Sequence, residues 1–131
     1  MSNKIDKILA EISAGELFDK ITILEIKRIK ISNKEKLNDI EKELSSLNET
    51  VKKFIPNQSN IANYINDLKN INLKLWDIEE GKRAAERKKE FGEKFIELAR
   101  NVYKFNDERA KIKSQINKTL GSNITEVKSY E

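Results

Sequence analysis

The sequence has no cysteine, no histidine, one proline, four glycines and one tryptophan in 131 residues. Without cysteine there is no disulfide framework, and without cysteine or histidine no zinc or haem site of the usual kind. A Ser-His-Asp triad, a cysteine nucleophile and a histidine general base are excluded on the same ground. One proline and four glycines supply too few tight turns for a many-stranded β fold. No apolar run approaches the roughly 20 residues that cross a bilayer. The N-terminal Met1-Ser2-Asn3-Lys4-Ile5-Asp6-Lys7 lacks the apolar centre of a signal peptide, so a cytoplasmic protein without a membrane span is expected. The length fits one domain.

Charged and hydrophobic residues each make up 37% of the chain, and the formal net charge is +4. Much of the excess lies in Lys82-Arg83-Ala84-Ala85-Glu86-Arg87-Lys88-Lys89. Such a run can contact phosphates, although a solvated helix face is the plainer reading. Acidic residues are interspersed elsewhere, which disfavours nucleic acid as the partner. There is no glycine-rich phosphate loop and no dinucleotide fingerprint, so no cofactor and no metal is expected.

The pattern that is present is helical. Ser13-Ala14-Gly15-Glu16 reads as a capping box opening a helix over about 14–31. Residues 1–12 carry Ile5, Ile8, Leu9 and Ile12 at helical spacing but are short enough to be extended. A second box, Ser32-Asn33-Lys34-Glu35, suggests a break near 31–33, with one helix from 14 to 54 as the alternative. Leu37, Ile40, Leu44, Leu47, Val51 and Phe54 then form a heptad seam up to Pro56. After a turn, with Ser59 as a candidate N-cap, Ile61, Tyr64, Leu68, Ile71, Leu75 and Ile78 form a second seam of equal length. The two seams predict an antiparallel hairpin, about 34–54 and 60–90, that pairs Phe54 with Ile61 and Leu37 with Ile78. Its 34–78 portion is expected to project as an arm exposing Ile65 and Leu73. Helical patterning resumes over 93–120, ending at Gly121 as a left-handed cap. Ile124, Val127 and Tyr130 are candidates to pin the tail onto the bundle. The fold class is therefore all-α: the hairpin packed with the first and last helices in a single-domain bundle.

Charged residues fall inside these apolar arcs, and buried charge is the informative observation. Glu25 and Arg28 lie on the arc of Leu17, Phe18, Ile21 and Leu24. Glu79, Arg83, Glu86 and Glu90 continue the second seam, with Trp76 on its flank. Asn106, Arg109, Lys113 and Asn117 interrupt the arc of the last helix. Convergence of Glu25, Arg28, Glu79, Arg83, Glu86, Asn106, Arg109 and Lys113 at one end of the bundle would make a polar pocket. Its natural ligand is an anion or a polyhydroxylated molecule such as a sugar nucleotide, because Arg grips carboxylate or phosphate bidentately. Trp76 would stack on it. The plainer readings are a paired ionic layer that sets helix register, an end simply open to water, and Trp76 as a packing anchor.

Several stretches carry a resemblance. They include Gly15-Glu16-Leu17-Phe18-Asp19-Lys20-Ile21, then Leu75-Trp76-Asp77-Ile78-Glu79 with Arg83 and Glu86, and Phe95-Ile96-Glu97-Leu98-Ala99-Arg100. Asn106-Asp107, Arg109-Ala110 and Leu120-Gly121-Ser122 extend it towards the C-terminus. On these the chain resembles an uncharacterised family of small all-helical bacterial proteins, covering most of the chain outside the hairpin. The resemblance implies an accessory role near surface-polysaccharide glycosyltransferases, by association alone. Glu80-Gly81 departs from the more helix-favouring pattern of relatives and puts the straightness of that helix in question. A fainter similarity to all-helical chorismate mutases offers an analogy for Arg, Lys and Glu on inward faces. The residues are consistent with a non-catalytic binding or scaffold protein that meets a protein partner or a second copy through the hairpin. Alternatives are an anion-binding protein or enzyme, and a nucleic-acid binder through residues 82–89.

Overall fold

The structure, a computed structural model, describes residues 4–127 and contains four helices: α1 (Ala14–Lys30), α2 (Lys34–Phe54), α3 (Ala62–Lys88) and α4 (Glu93–Leu120). The local grammar explains most boundaries. The Ser13 hydroxyl accepts the Glu16 amide at 3.1 Å, one half of the capping box, while the Glu16 carboxylate is taken up by Lys113 at 2.7 Å. The chain does break after α1, but the cap of α2 is Asn33, whose side chain accepts the Lys36 amide at 3.0 Å, rather than Ser32. Pro56 follows the end of α2. Ser59 caps nothing: Asn57 accepts both its amide and its hydroxyl, folding the turn, and α3 begins after Ile61. Helix α3 runs unbroken through Gly81.

Two helices end on a left-handed residue, Lys89 at φ 56° after α3 and Gly121 at φ 62° after α4. Glycine tolerates that conformation and lysine does not. Lys89→Gly is therefore expected to stabilise the protein, and Gly121→Ala to destabilise it, by about 1 kcal/mol each. Opposite shifts of urea midpoint for the two variants would establish this; shifts of the same sign would refute it.

Helix α1 is the hub. It packs on α2, α3 and α4, while α3 pairs along α4. Leu17, Phe18, Ile21 and Leu24 of α1 share one core with Ile40, Leu44 and Val51 of α2, Ile61 at the N-cap of α3, Leu68 of α3, and Ile116 of α4. The all-α bundle is as the pattern implies, and both heptad seams turn inward. Their pairing is corrected. No Cα atom of α2 lies within 8 Å of one in α3. Phe54 is 69% exposed, whereas its expected mate Ile61 is fully buried. The stretch 34–78 is accordingly no free-standing arm, because α2 lies against α1. Ile65 packs on the core and Leu73 is half-buried. The physical reason is that a heptad seam shows that a helix buries one face, not which neighbour covers it. The apolar α1, joined to α2 by three residues, occupies the place assigned to the second seam.

The termini close on one another at the start of α1. The Ser122 hydroxyl accepts the Ala14 amide at 3.1 Å, the Ser13 hydroxyl donates to Glu126 at 3.3 Å, and Asn123 donates to Glu11 at 2.5 Å. Polar bonds thus hold the described part of the tail, and of the apolar residues proposed to pin it Val127 does not. Val127 is 90% exposed, and Tyr130 lies outside the described residues. Residues 4–12 are non-helical and exposed. Among the described residues no helix is long and apolar enough to cross a membrane.

Candidate functional site

Two arrangements compete for the role of a site: a buried polar network and an open groove beside it. The network is organised by α1. At about 100° per residue, Gly15, Asp19, Thr22 and Ile26 form one stripe, and Leu17, Ile21, Leu24, Glu25 and Arg28 lie well round the helix from it. The first stripe faces α3 and α4. Gly15 permits a close approach of α4: a Cβ built there would lie 2.6 Å from the Lys113 carbonyl oxygen. Its amide donates to Asn117 Oδ1 at 2.6 Å.

Asp19 is 1% exposed. It accepts Nε (2.9 Å) and Nη2 (2.5 Å) of Arg109, a bidentate pair. Asn72 of α3 donates to Asp19 Oδ1 at 3.0 Å and to Thr22 Oγ1 at 2.9 Å. The Thr22 hydroxyl in turn donates to the Asp19 carbonyl at 2.8 Å. Arg109 Nη1 reaches Asn106 at 3.3 Å. One turn further, Lys113 donates to Glu16 at 2.7 Å and Glu126 at 2.8 Å. Among the described residues, every buried side-chain polar atom has a partner. Such closure makes a buried polar network rigid and register-defining.

The hydrogen bond to Asp19 holds the Arg109 guanidinium above its ordinary value, against the opposing effect of burial. For Lys113, burial pulls downward, but its bonds to Glu126 and Glu16 and the charge of Asp19 outweigh it, so the ammonium is also raised. A raised cation stabilises the fold fully below its unfolded pKa and loses that contribution only as pH rises through the folded one. Both groups are therefore charged and committed to carboxylates at neutral pH.

The groove lies between α1 and α3, has a volume of about 450 Å³ and is open to solvent. That volume falls in the range of small-molecule sites. Ile23, Ile26, Leu75 and Trp76 give it an apolar wall, and Asn72 and Arg109 join it to the network. Lys27, Glu79, Glu80 and Arg83 stand around it. Glu79 is paired with Lys82 at 3.4 Å, whereas among the described residues neither Lys27 nor Arg83 has a carboxylate within 4.0 Å. No group of three or more acidic residues is placed to hold a metal ion among the described residues.

The residues expected to converge divide among three places. Asn106, Arg109 and Lys113 belong to the network. Trp76, Glu79 and Arg83, with Arg109 again, line the groove. Glu25, Arg28 and Glu86 join neither: Arg28 reaches Glu41 of α2 at 3.5 Å on the surface, Glu25 is half-buried elsewhere, and Glu86 is exposed. The separation follows from the helical wheel, since Glu25 and Arg28 share the stripe that faces α2. In the basic run, Lys82 pairs with Glu79 and Arg83 joins the groove. Arg87 and Lys88 sit in the last turn of α3, where the helix dipole favours cations. Asp19, Thr22, Asn72, Glu16 and Glu126 were not anticipated as site residues. The stripe 15, 19, 22, 26, polar at its centre, was the available signal for the first two.

No curated protein and no solved structure matches the chain. A family profile matches residues 8–131, which agrees with the resemblance only as far as a family of unknown function. With that profile spanning nearly its whole length, the chain belongs to the family of unknown function DUF6165.

Proposed function

We propose that the protein is a non-catalytic helical binding protein whose binding face is the groove between α1 and α3, and that it takes an organic anion with an apolar, planar body. The observation that carries this reading is the contrast in charge between network and groove. Arg109 and Lys113 are committed to Asp19, Glu16 and Glu126. Lys27 and Arg83 instead stand without carboxylate partners among the described residues, beside an apolar wall that includes Trp76. Unpaired cations over an apolar surface suit a carboxylate or phosphate attached to a ring. The binding-and-scaffold reading also accommodates the accessory role beside glycan-building enzymes, which rests on the family resemblance alone.

Trp76 is the single tryptophan, so its fluorescence reports the groove without background. Titration with phenyl phosphate, which does not absorb or emit in the tryptophan band, is expected to quench it saturably. Lys27→Ala with Arg83→Ala should weaken that binding about 10-fold or more, the equivalent of ~1.4 kcal/mol. Glu80→Gln should tighten it. An absence of saturation at millimolar probe, or an unchanged affinity in the double variant, would overturn the reading.

A further inference from the structure

The outer face of α4 is unpartnered and self-complementary. Helix α4 is 28 residues long, yet its only buried residues are Ile116 and Asn117. On the face turned away from α1 and α3, Glu93, Glu97, Arg100 and Lys104 follow one another at spacings of four, three and four and are all exposed. None has an opposite charge within 4.0 Å among the described residues. Two of the i,i+4 neighbours, Glu93 with Glu97 and Arg100 with Lys104, are like-charged, which disfavours the isolated helix. Beside them Ile96 is 53% and Tyr103 56% exposed. The stripe borders a shallow groove of about 370 Å³.

The order negative, negative, positive, positive reads as its own complement when reversed. We infer that this face pairs with the same face of a second copy, the two α4 helices running antiparallel about a two-fold axis near Ala99. In that register Glu93 and Glu97 meet Lys104 and Arg100 of the second copy. Ile96 and the second copy's Tyr103 stand on the same flank two residues, or about 3 Å, off that register, so an apolar match lies beside the ionic one. An isologous interface needs this property, because one patch must complement itself. A parallel pairing would set like charges opposite each other and is disfavoured by the same residues. The inference stands apart from the groove, which uses α1 and α3, so failure of either leaves the other intact.

The test is sedimentation equilibrium of the full chain at about 5–200 μM and low salt, a range that brackets micromolar association. The wild type is expected to form a dimer. Glu93→Lys/Glu97→Lys makes the stripe wholly basic, and Arg100→Glu/Lys104→Glu makes it wholly acidic. Each should be monomeric over the whole range. Mixed one to one, they should restore a heterodimer. Both alter exposed residues only, so circular dichroism, with an unfolding midpoint matching the wild type at protein concentrations low enough to keep it monomeric, serves as the control for folding. A wild type that stays monomeric at 200 μM overturns the inference. So do charge variants that dimerise as the wild type does, or a mixture that fails to associate.

Discussion

Asp19→Ala is expected to destabilise the protein by about 3–5 kcal/mol, the usual cost of removing one member of a buried ion pair. For a chain of this length that corresponds to a fall in Tm of about 10–20 °C. Asp19 is 1% exposed and accepts from Arg109 and Asn72 together. Its loss leaves a guanidinium with 28% exposure and no counter-charge of comparable geometry. It also deprives the Asn72 amide of one acceptor. The loss comes from the uncompensated cation more than from the worth of the pair. Asp19→Leu combined with Arg109→Met should therefore recover half or more of the stability. Thermal unfolding by circular dichroism decides it. A single-variant loss under about 1 kcal/mol, which is the scale of an exposed pair, would show that the network does not bear on the fold as described.

Gly15→Ala is the second large effect, and its sign runs against helix propensity. In an open helix the change gains about 1 kcal/mol. Here the new Cβ would meet the Lys113 backbone carbonyl at 2.6 Å and Asn117 Oδ1 at 3.0 Å. Backbone of a neighbouring helix cannot swing aside as a side-chain tip can. The α1–α4 spacing is further held by the 2.6 Å bond from the Gly15 amide to Asn117. Separating the helices strains the adjacent Lys113–Glu16 bond and the Arg109–Asp19 bond one turn away. A net loss of about 1–3 kcal/mol is expected, as for an overpacked core. Gly15→Val should cost more. Urea titration measures both. A stabilised Gly15→Ala variant would mean that α4 does not approach α1 so closely.

Helix positions were largely legible because they depend on neighbours in sequence. Ser13, Pro56 and Gly121 act within one turn, and the apolar spacings act within two. The misplaced caps, Ser32 and Ser59, fail for an equally local reason. Asn33 and Asn57 lie beside them, and their longer amide side chains accept the available donors. The site was less legible. Arg109 and Lys113 interrupt an apolar arc and are marked by it, whereas Asp19, between Phe18 and Lys20, lies off the arc of Leu17, Phe18, Ile21 and Leu24. Only its stripe with Gly15 and Thr22 marks it, and that stripe has meaning only once a helix lies on it.

By itself the sequence determined the class, four amphipathic helices without β structure, metal-ligating histidine or cysteine chemistry. It also determined which face of α2, α3 and α4 turns inward. Periodicity and capping are properties of a single helix, so they survive without knowledge of the rest. The tertiary structure alone decided who meets whom: that α1 has two buried stripes, that α2 lies on α1 rather than in register with α3, and that Asp19, Arg109 and Asn72 close on one another. An amphipathic helix specifies that a face be covered, and many neighbours satisfy the hydrophobic effect almost equally well. The choice among them rests on directional features, here a glycine that admits a backbone and a carboxylate that needs a guanidinium, and these act only when three helices are already in place.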